Sequence, residues 1–350
     1  MKNTQISPFA ITGRGHSNYK IQKPIRLIEL FAGIGAQAKA LEKLHVNFEH
    51  YKICEFDKYA VASYNAIHNT NFATSDITQL HANDLEIVDT DKYEYILTYS
   101  FPCQDLSLAG KQQGMKKGTQ TRSGLLWEVE RLLKECKELP QVLLMENVPQ
   151  VHSSKNYEDF KEWQNFLSNL GYQNFWADLN AKNYGIPQNR ERLWMFARLG
   201  GLPDDFSMVP PTIENGLRLK DFVDEKPEES LYLSQKQIQR IKDFYGIPSF
   251  VVSEASCFDL YNRKIRDDGM SITILAPEHN KLRLVEPTGS DGIEIVRKYS
   301  VPEQFRLMGF KDGEVNFANQ SYTQLSKRAA NGWDVNLVGI LLNHIWGQLL

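Results

Sequence analysis

The sequence is poor in several things, and each absence narrows what the chain can be. It has four cysteines in 350 residues, Cys54, Cys103, Cys136 and Cys257. They form no close pair and no zinc-like spacing, so neither a disulfide scaffold nor a zinc module is expected. That usage suits a reducing, cytoplasmic setting. No stretch approaches the roughly 18 apolar residues of a membrane span, and the N-terminus lacks the apolar core of a signal peptide. There is no Walker lysine motif, so ATP is not indicated. There is no excess of positive charge either. The formal net charge of −3 argues against a wholly basic nucleic-acid binder but leaves room for a locally positive groove. No internal repeat or low-complexity tract is visible. What is plentiful is hydrophobic residues, at 42%, over a length that favours two domains.

The most informative stretch is Tyr99-Ser100-Phe101-Pro102-Cys103-Gln104. A strand-like run over 93–99 ends there in a Pro-Cys dipeptide. Proline fixes its own φ and biases its neighbour away from helix. Cys103 is therefore held on a stiff turn at a strand end, which is where ligands bind in an open α/β sheet. A thiol there attacks electrophiles once it is a thiolate. Taken alone, such a cysteine is more often a small buried hydrophobe; its neighbours decide.

Upstream, Ile25–Leu30 reads as a first strand entering Phe31-Ala32-Gly33-Ile34-Gly35-Ala36, with a helix to about residue 44. A glycine turn between strand and helix lets a ligand approach backbone N–H groups. The third glycine of a dinucleotide fingerprint is missing. A second strand, Phe48–Cys54, ends in Glu55-Phe56-Asp57. An acidic residue about 20 positions after the glycine turn suits a ribose diol, and Phe56 suits an adenine ring. The alternative is that Glu55 caps the helix over 58–67 and Phe56 is core. A short third strand near Asn71-Phe72-Ala73 leads to Asp76, which suits an exocyclic amine or, equally, a helix cap. Together the three strand ends point to an adenosine-containing cofactor.

Downstream, the polar segment 105–123 carries Gly114, Gly118, Lys111, Lys116, Lys117 and Arg122. A loop that long reads as a functional lid, its glycines as hinges and its cations as suited to a phosphate backbone; a merely solvated loop is the alternative. The strand over 141–145 ends in Glu146-Asn147-Val148, and a carboxyl group there is a candidate proton donor. A helix over 157–170 and a strand over 172–179 lead to Gln188-Asn189-Arg190-Glu191-Arg192. The two arginines face one side if a strand has begun there. Gly200-Gly201-Leu202-Pro203 and Pro210-Pro211 mark a boundary. Beyond it, 199–296 reads as a smaller, mostly irregular domain. It holds one helix capped by Ser234 and a strand-like run over 271–274. Regularity returns with a helix capped by Ser300 and stopped by Gly309, another over 321–330, and a last one over 335–349.

In this order the segments resemble the DNA (cytosine-5)-methyltransferases of bacterial and phage type, over nearly the whole chain after residue 24. Phe31-Ala32-Gly33-Ile34-Gly35 resembles that family's first S-adenosylmethionine loop. Glu55 and Phe56 resemble its ribose and adenine contacts, and Asp76 its acidic residue near the adenine amine. Phe101-Pro102-Cys103-Gln104 resembles the nucleophile motif, Glu146-Asn147-Val148 the acidic catalytic motif, and Gln188 to Arg192 the Gln-x-Arg-x-Arg motif. Arg306-Leu307-Met308-Gly309-Phe310 resembles the helix supporting the recognition domain, and Asn331-Gly332 the last motif, which returns to the cofactor pocket. Two positions depart: Ser100 and Ala330 stand where the family usually has glycine.

The resemblance implies an α/β fold, a Rossmann-like mixed methyltransferase sheet with a smaller target-recognition domain. It implies an N-terminal extension over 1–24, a catalytic and cofactor domain over 25–198, a recognition domain over 199–296 and C-terminal helices over 297–350. The implied catalytic residues are Cys103, Glu146, Arg190 and Arg192. Phe31, Gly33, Gly35, Glu55, Phe56, Asp76 and Asn331 would bind S-adenosylmethionine, with no metal. The implied partner is double-stranded DNA, met by a monomer in the bacterial cytoplasm; a restriction endonuclease acting on the same site is compatible. A tRNA-acting branch is the main competitor. The long 199–296 segment and the missing Cys-Phe-Thr signature argue against it. A catalytically silent DNA-binding homologue is disfavoured by the intact Cys103, Glu146 and Arg192. A small-molecule methyltransferase or an NAD-type oxidoreductase explains neither the cysteine lid nor the extra domain.

Overall fold

The first strand, β1 (Ile25–Leu30), is aliphatic apart from Arg26 and Glu29, and every residue but Arg26 is buried. After it come α1 (Ala36–Lys43), β2 (Phe48–Cys54), α2 (Lys58–His68), α3 (Ala82–Leu85), β3 (Glu94–Tyr99), α4 (Leu126–Glu135), β4 (Val142–Asn147), α5 (Tyr157–Asn169), β5 (Tyr172–Asn180), β6 (Gln188–Asn189) and β7 (Glu191–Leu199). The rest of the chain forms α6 (Gln235–Tyr245), β8 (Ser256–Asp259), β9 (Lys264–Ile265), β10 (Ser271–Ile272), β11 (Arg283–Glu286), β12 (Ile295–Arg297), α7 (Val301–Arg306), α8 (Tyr322–Asn331) and α9 (Val335–Trp346). The structure, a computed structural model, describes residues 21, 23–102, 106, 114–118, 121–260, 262–277, 282–288, 292–316 and 318–349. Among them, no helix is long and apolar enough to cross a membrane.

The chain divides into two units. The larger runs to Leu179, takes up again over Glu191–Pro211, and includes the chain from Val338 onward. Its sheet has the order β2-β1-β3-β4-β7-β5. β2, β1, β3 and β4 are parallel neighbours, and β7 runs antiparallel to β4. β3 and β4 are buried at every position, as strands in the middle of a parallel sheet are. Leu126, Val129 and Leu133 of α4 recur at helical spacing and share one core with Phe160, Trp163 and Leu167 of α5. Strand order reverses between β1 and β3, so the crevice at their carboxyl ends is the switch point of the sheet.

The short strand expected near Asn71-Phe72-Ala73 does not form. The Asn65 side chain accepts from Phe72 N and the Thr70 hydroxyl and donates to the Phe72 carbonyl. These backbone groups are satisfied by one side chain and have no need of a neighbouring strand. Phe56 is not core, being 78% exposed.

The smaller unit comprises Asn180–Arg190 and Thr212–Leu337. It is more regular than its sequence suggests. It has an antiparallel sheet of order β12-β11-β8-β9 and a parallel pair of β10 with β6. Cys257, Ile274, Leu284 and Leu307 belong to one core, and Phe250, Phe258, Val285 and Val296 to a second. The Ser234 and Ser300 caps form as expected, each with a capping box. At the end of β12, Arg297 is wholly buried between Glu286 and Glu303, with Nη1 and Nη2 at 2.8 and 2.6 Å from the Glu303 carboxylate. Glu303 in turn accepts from the backbone N–H groups of Ser300 and Asp224 at 2.7 and 2.8 Å. Removing the guanidinium leaves the buried Glu303 carboxylate without its cation. Arg297→Met is expected to cost about 3–5 kcal/mol in urea denaturation; a loss under about 1 kcal/mol would show that the cluster contributes little to stability.

Candidate active site

The turn after β1 occupies the switch-point crevice. Three of its five residues have left-handed backbone: Phe31 (φ 58°), Gly33 (φ 58°) and Gly35 (φ 72°). Gly33 has open space in its Cβ direction, so its left-handed φ alone calls for glycine. Glu55, which follows β2, holds this turn. Its Oε2 accepts from Gly33 N at 2.9 Å and its Oε1 from Asp57 N at 2.8 Å. Asp57, not Glu55, caps α2 by accepting from Tyr59 N. Phe56 stands exposed between them. Asp76 caps a short 3-10 turn, accepting from the backbone N–H and hydroxyl of Thr78 at 2.9 Å each. Its capping alternative is therefore realised.

The second turn of the crevice follows β3. Tyr99 pairs with Leu30 on one side and Met145 on the other, so Ser100 emerges beside Glu146. The Ser100 hydroxyl donates to Glu146 Oε2 at 2.9 Å. Arg192 Nε lies 3.1 Å from Glu146 Oε1. Both carboxylate oxygens of a residue only 5% exposed are thus engaged. Antiparallel pairing brings this about. Glu146 stands opposite Trp194, and Arg192 is two residues from Trp194, on the same face of β7.

Cys103 and Gln104 lie outside the described residues, as do Asp105, 107–113 and 119–120 of the expected lid. The turn that leads to Cys103 is described, and it is pinned at two successive carbonyls. Asn147 Nδ2 donates to the Phe101 carbonyl at 2.9 Å, and the Ser123 hydroxyl to the Pro102 carbonyl at 2.7 Å. Asn147 Oδ1 also accepts from Val148 N. Within the lid segment, the Trp127 indole donates to the Met115 carbonyl at 2.7 Å. Lys117 pairs with Glu130 and Glu162, so this cation, expected to meet phosphate, is turned to carboxylates.

Arg190 goes elsewhere. β7 begins at Glu191, so Arg190 is not on the strand face that Arg192 uses. It is buried in the smaller unit, where Nη2 donates to the carbonyls of Ala330 and Gly332 at 3.1 and 2.8 Å. These flank Asn331, which is exposed at the end of α8. Sequence reasoning missed the roles of Asn147, Ser123 and Ser100 as hydrogen-bonding partners. The departure of Ser100 from glycine was the one available signal.

Residues 25–346 match the family described as C-5 cytosine-specific DNA methylase. Among curated proteins, the Type II methyltransferase M.NlaX of Neisseria lactamica is 32% identical over 301 residues, 82% of this chain and 86% of that one. The orphan methyltransferase M.SssI of Spiroplasma monobiae is 36% identical over 187 residues, 36% of this chain and 47% of its own, so the match spans about half of that relative. Among solved structures, the Entamoeba histolytica methyltransferase EhMeth superimposes with a TM-score of 0.68 over 94% of this chain and 100% of its own. At 18% identity that likeness is one of fold. A mixed sheet with this switch-point crevice, matched along almost its whole length, places the chain in the C-5 cytosine-specific DNA methylase family, whose members transfer methyl groups from S-adenosylmethionine.

Proposed function

We propose that the chain methylates C5 of a flipped-out cytosine in duplex DNA, through a covalent bond between Cys103 and C6. One observation carries the reading. Glu146, held by Arg192 and Ser100, stands one strand away from the pinned turn that leads into Cys103.

Cytosine C5 is a poor nucleophile. Attack of the Cys103 thiolate on C6 moves an electron pair toward N3 and O2 and makes C5 enamine-like. Glu146 then faces N3 and the exocyclic amine, and Arg192 faces O2, so developing charge meets groups already in place. A hydroxyl both donates and accepts, so Ser100 can follow Glu146 in either protonation state. When bound, S-adenosylmethionine supplies the methyl group as an electrophile. Loss of the C5 proton, with water as acceptor, returns the electron pair to the ring and expels the thiolate. Arg190 acts as a positioning residue, fixing the carbonyls on either side of Asn331. The other thiols suit the role poorly: burial pushes Cys54 and Cys136 up to about 11, and raises Cys257 as well.

The cofactor residues fit an adenosine-type ligand. The turn over 31–35 permits close backbone approach, and an exposed aromatic ring, Phe56, stands next to the Glu55 that holds it. A stacked cytosine offers neither ring face, which is why the base must leave the helix. The segment over 199–296, read as the recognition domain, would meet base edges in the major groove. We take the enzyme to act as a monomer. The relatives include both Type II and orphan methyltransferases, and nothing in the chain favours one setting.

Purified protein with labelled S-adenosylmethionine and mixed-sequence duplex DNA is expected to label cytosines in one short context, read by bisulfite sequencing. Label appearing in tRNA and not in DNA would overturn the DNA assignment. Cys103→Ala is expected to abolish transfer while retaining DNA binding in a gel-shift assay; normal turnover would remove Cys103 from the mechanism. Asn147→Asp can still accept from Val148 N but cannot donate to the Phe101 carbonyl. It is expected to lower kcat by about tenfold or more, the cost of one buried hydrogen bond, with little change in DNA affinity. Unchanged kcat would show that the pin on the turn is dispensable.

A further inference from the structure

Polar side chains from four elements back the turn over 31–35: Glu29 on β1, Lys39 and Glu42 on α1, His50 on β2, and Tyr64 and His68 on α2. His68 hydrogen-bonds to the turn itself. Its side chain has no exposed surface, with Nε2 3.0 Å from the Ile34 carbonyl and Nδ1 2.8 Å from Glu42 Oε1. A carbonyl oxygen only accepts, so Nε2 is placed to donate to Ile34, while Nδ1 faces the Glu42 carboxylate. Glu42 is a carboxylate. Burial works upward on it, but the bonds from His68 and Lys39 outweigh burial and bring it down to about 2.

His50 is neutral. Its Nδ1 lies 2.9 Å from the Tyr64 hydroxyl, which donates to Glu29 Oε2 at 2.5 Å. Burial, then the charge of His68, brings His50 down to about 4. Gly35 closes the arrangement. A Cβ at this left-handed residue would overlap His68 Nε2 and Tyr64 Cε2, so the turn rests directly on the two rings.

We propose that His68 is a positioning residue that sets the shape of the turn over 31–35, and through it the affinity for S-adenosylmethionine. The proposal rests on reading that turn as the cofactor loop. Glu42, His50 and His68 also offer three donor atoms within 4.8 Å of one another, as a divalent cation requires. Two observations favour the ion cluster over a metal centre. Lys39 already occupies Glu42, and Nδ1 of His68 sits at hydrogen-bond distance from Oε1. Tetrahedral ligands at metal-bond lengths stand farther apart, at about 3.3 Å.

The test compares two substitutions of similar size and polarity. A glutamine amide nitrogen reaches the place of Nε2 and keeps the bond to Ile34. An asparagine amide reaches only the place of Nδ1 and loses it. By calorimetric titration, His68→Gln is expected to bind S-adenosylmethionine within about threefold of the unsubstituted protein, and His68→Asn about tenfold or more weaker. Turnover at saturating cofactor is expected to change little in either, and both melting temperatures to fall alike. Equal losses of affinity that follow the melting temperatures would overturn the proposal, since a merely structural role predicts them. Affinity lost on dialysis against a chelator and restored by zinc would overturn it in favour of a metal site. An unsubstituted protein that binds no S-adenosylmethionine overturns the cofactor reading, and this proposal with it; binding by that protein with equal effects from both variants overturns this proposal alone.

Discussion

The ion pair between Glu146 and Arg192 depends on a single topological choice, the reversal of β7 against β4. Were β7 parallel, its first residues would lie at the amino end of β4, far from Glu146. Because it is antiparallel, the start of one strand adjoins the end of the other, and side chains two apart share a face. A slip of one residue would send Arg192 through the sheet. Both groups are largely removed from water, with side-chain exposures of 15% for Arg192 and 6% for Glu146. Such a pair contributes little net stability, but either half alone would be costly to bury. The register is therefore under strong constraint, and the constraint falls on the groups that the proposed chemistry needs close together.

The carboxyl ends of the parallel strands obey a related logic. Neighbouring parallel strands finish side by side, so a residue leaving one strand can hold the loop leaving the next. Glu55, after β2, takes the N–H of Gly33 after β1. Asn147, at the end of β4, takes the carbonyl of Phe101 after β3. Ser100, after β3, reaches Glu146 on β4. Each loop is fixed from the adjacent strand end, and the sheet sets the spacing. A crevice built this way is preorganised before any ligand arrives.

What could be seen in the sequence follows from how local each signal is. β1 and β2 were legible because a run of six or seven residues containing aliphatic or aromatic side chains, bounded by turn residues, reads as a strand. The strand expected at residues 71–73 failed because one side chain, Asn65, satisfied its backbone, and no periodicity reveals that. The sheet of the smaller unit has strands of two to four residues, too short for alternation to register. Arg190 and Arg192 look equivalent in the motif. They diverge because the strand starts between them, and boundaries are the least local feature of a strand.

The division between acting and holding groups has the same origin. Cys103, Glu146 and Arg192, the acting groups of the proposal, were visible because reactive residue types at strand ends stand out against an apolar background. The groups that hold them are of ordinary type. Asparagine, serine and histidine recur along the chain, and only three-dimensional pairing shows what Asn147 holds or distinguishes His68 from His45. His68 is 34 residues from the carbonyl it bonds and 26 from its carboxylate partner. Geometry at the crevice therefore depends on contacts that leave no pattern in the sequence. On the proposed reading the motifs supply the reactive residues, while partners outside them, such as Ser123 and His68, hold the turns that present them.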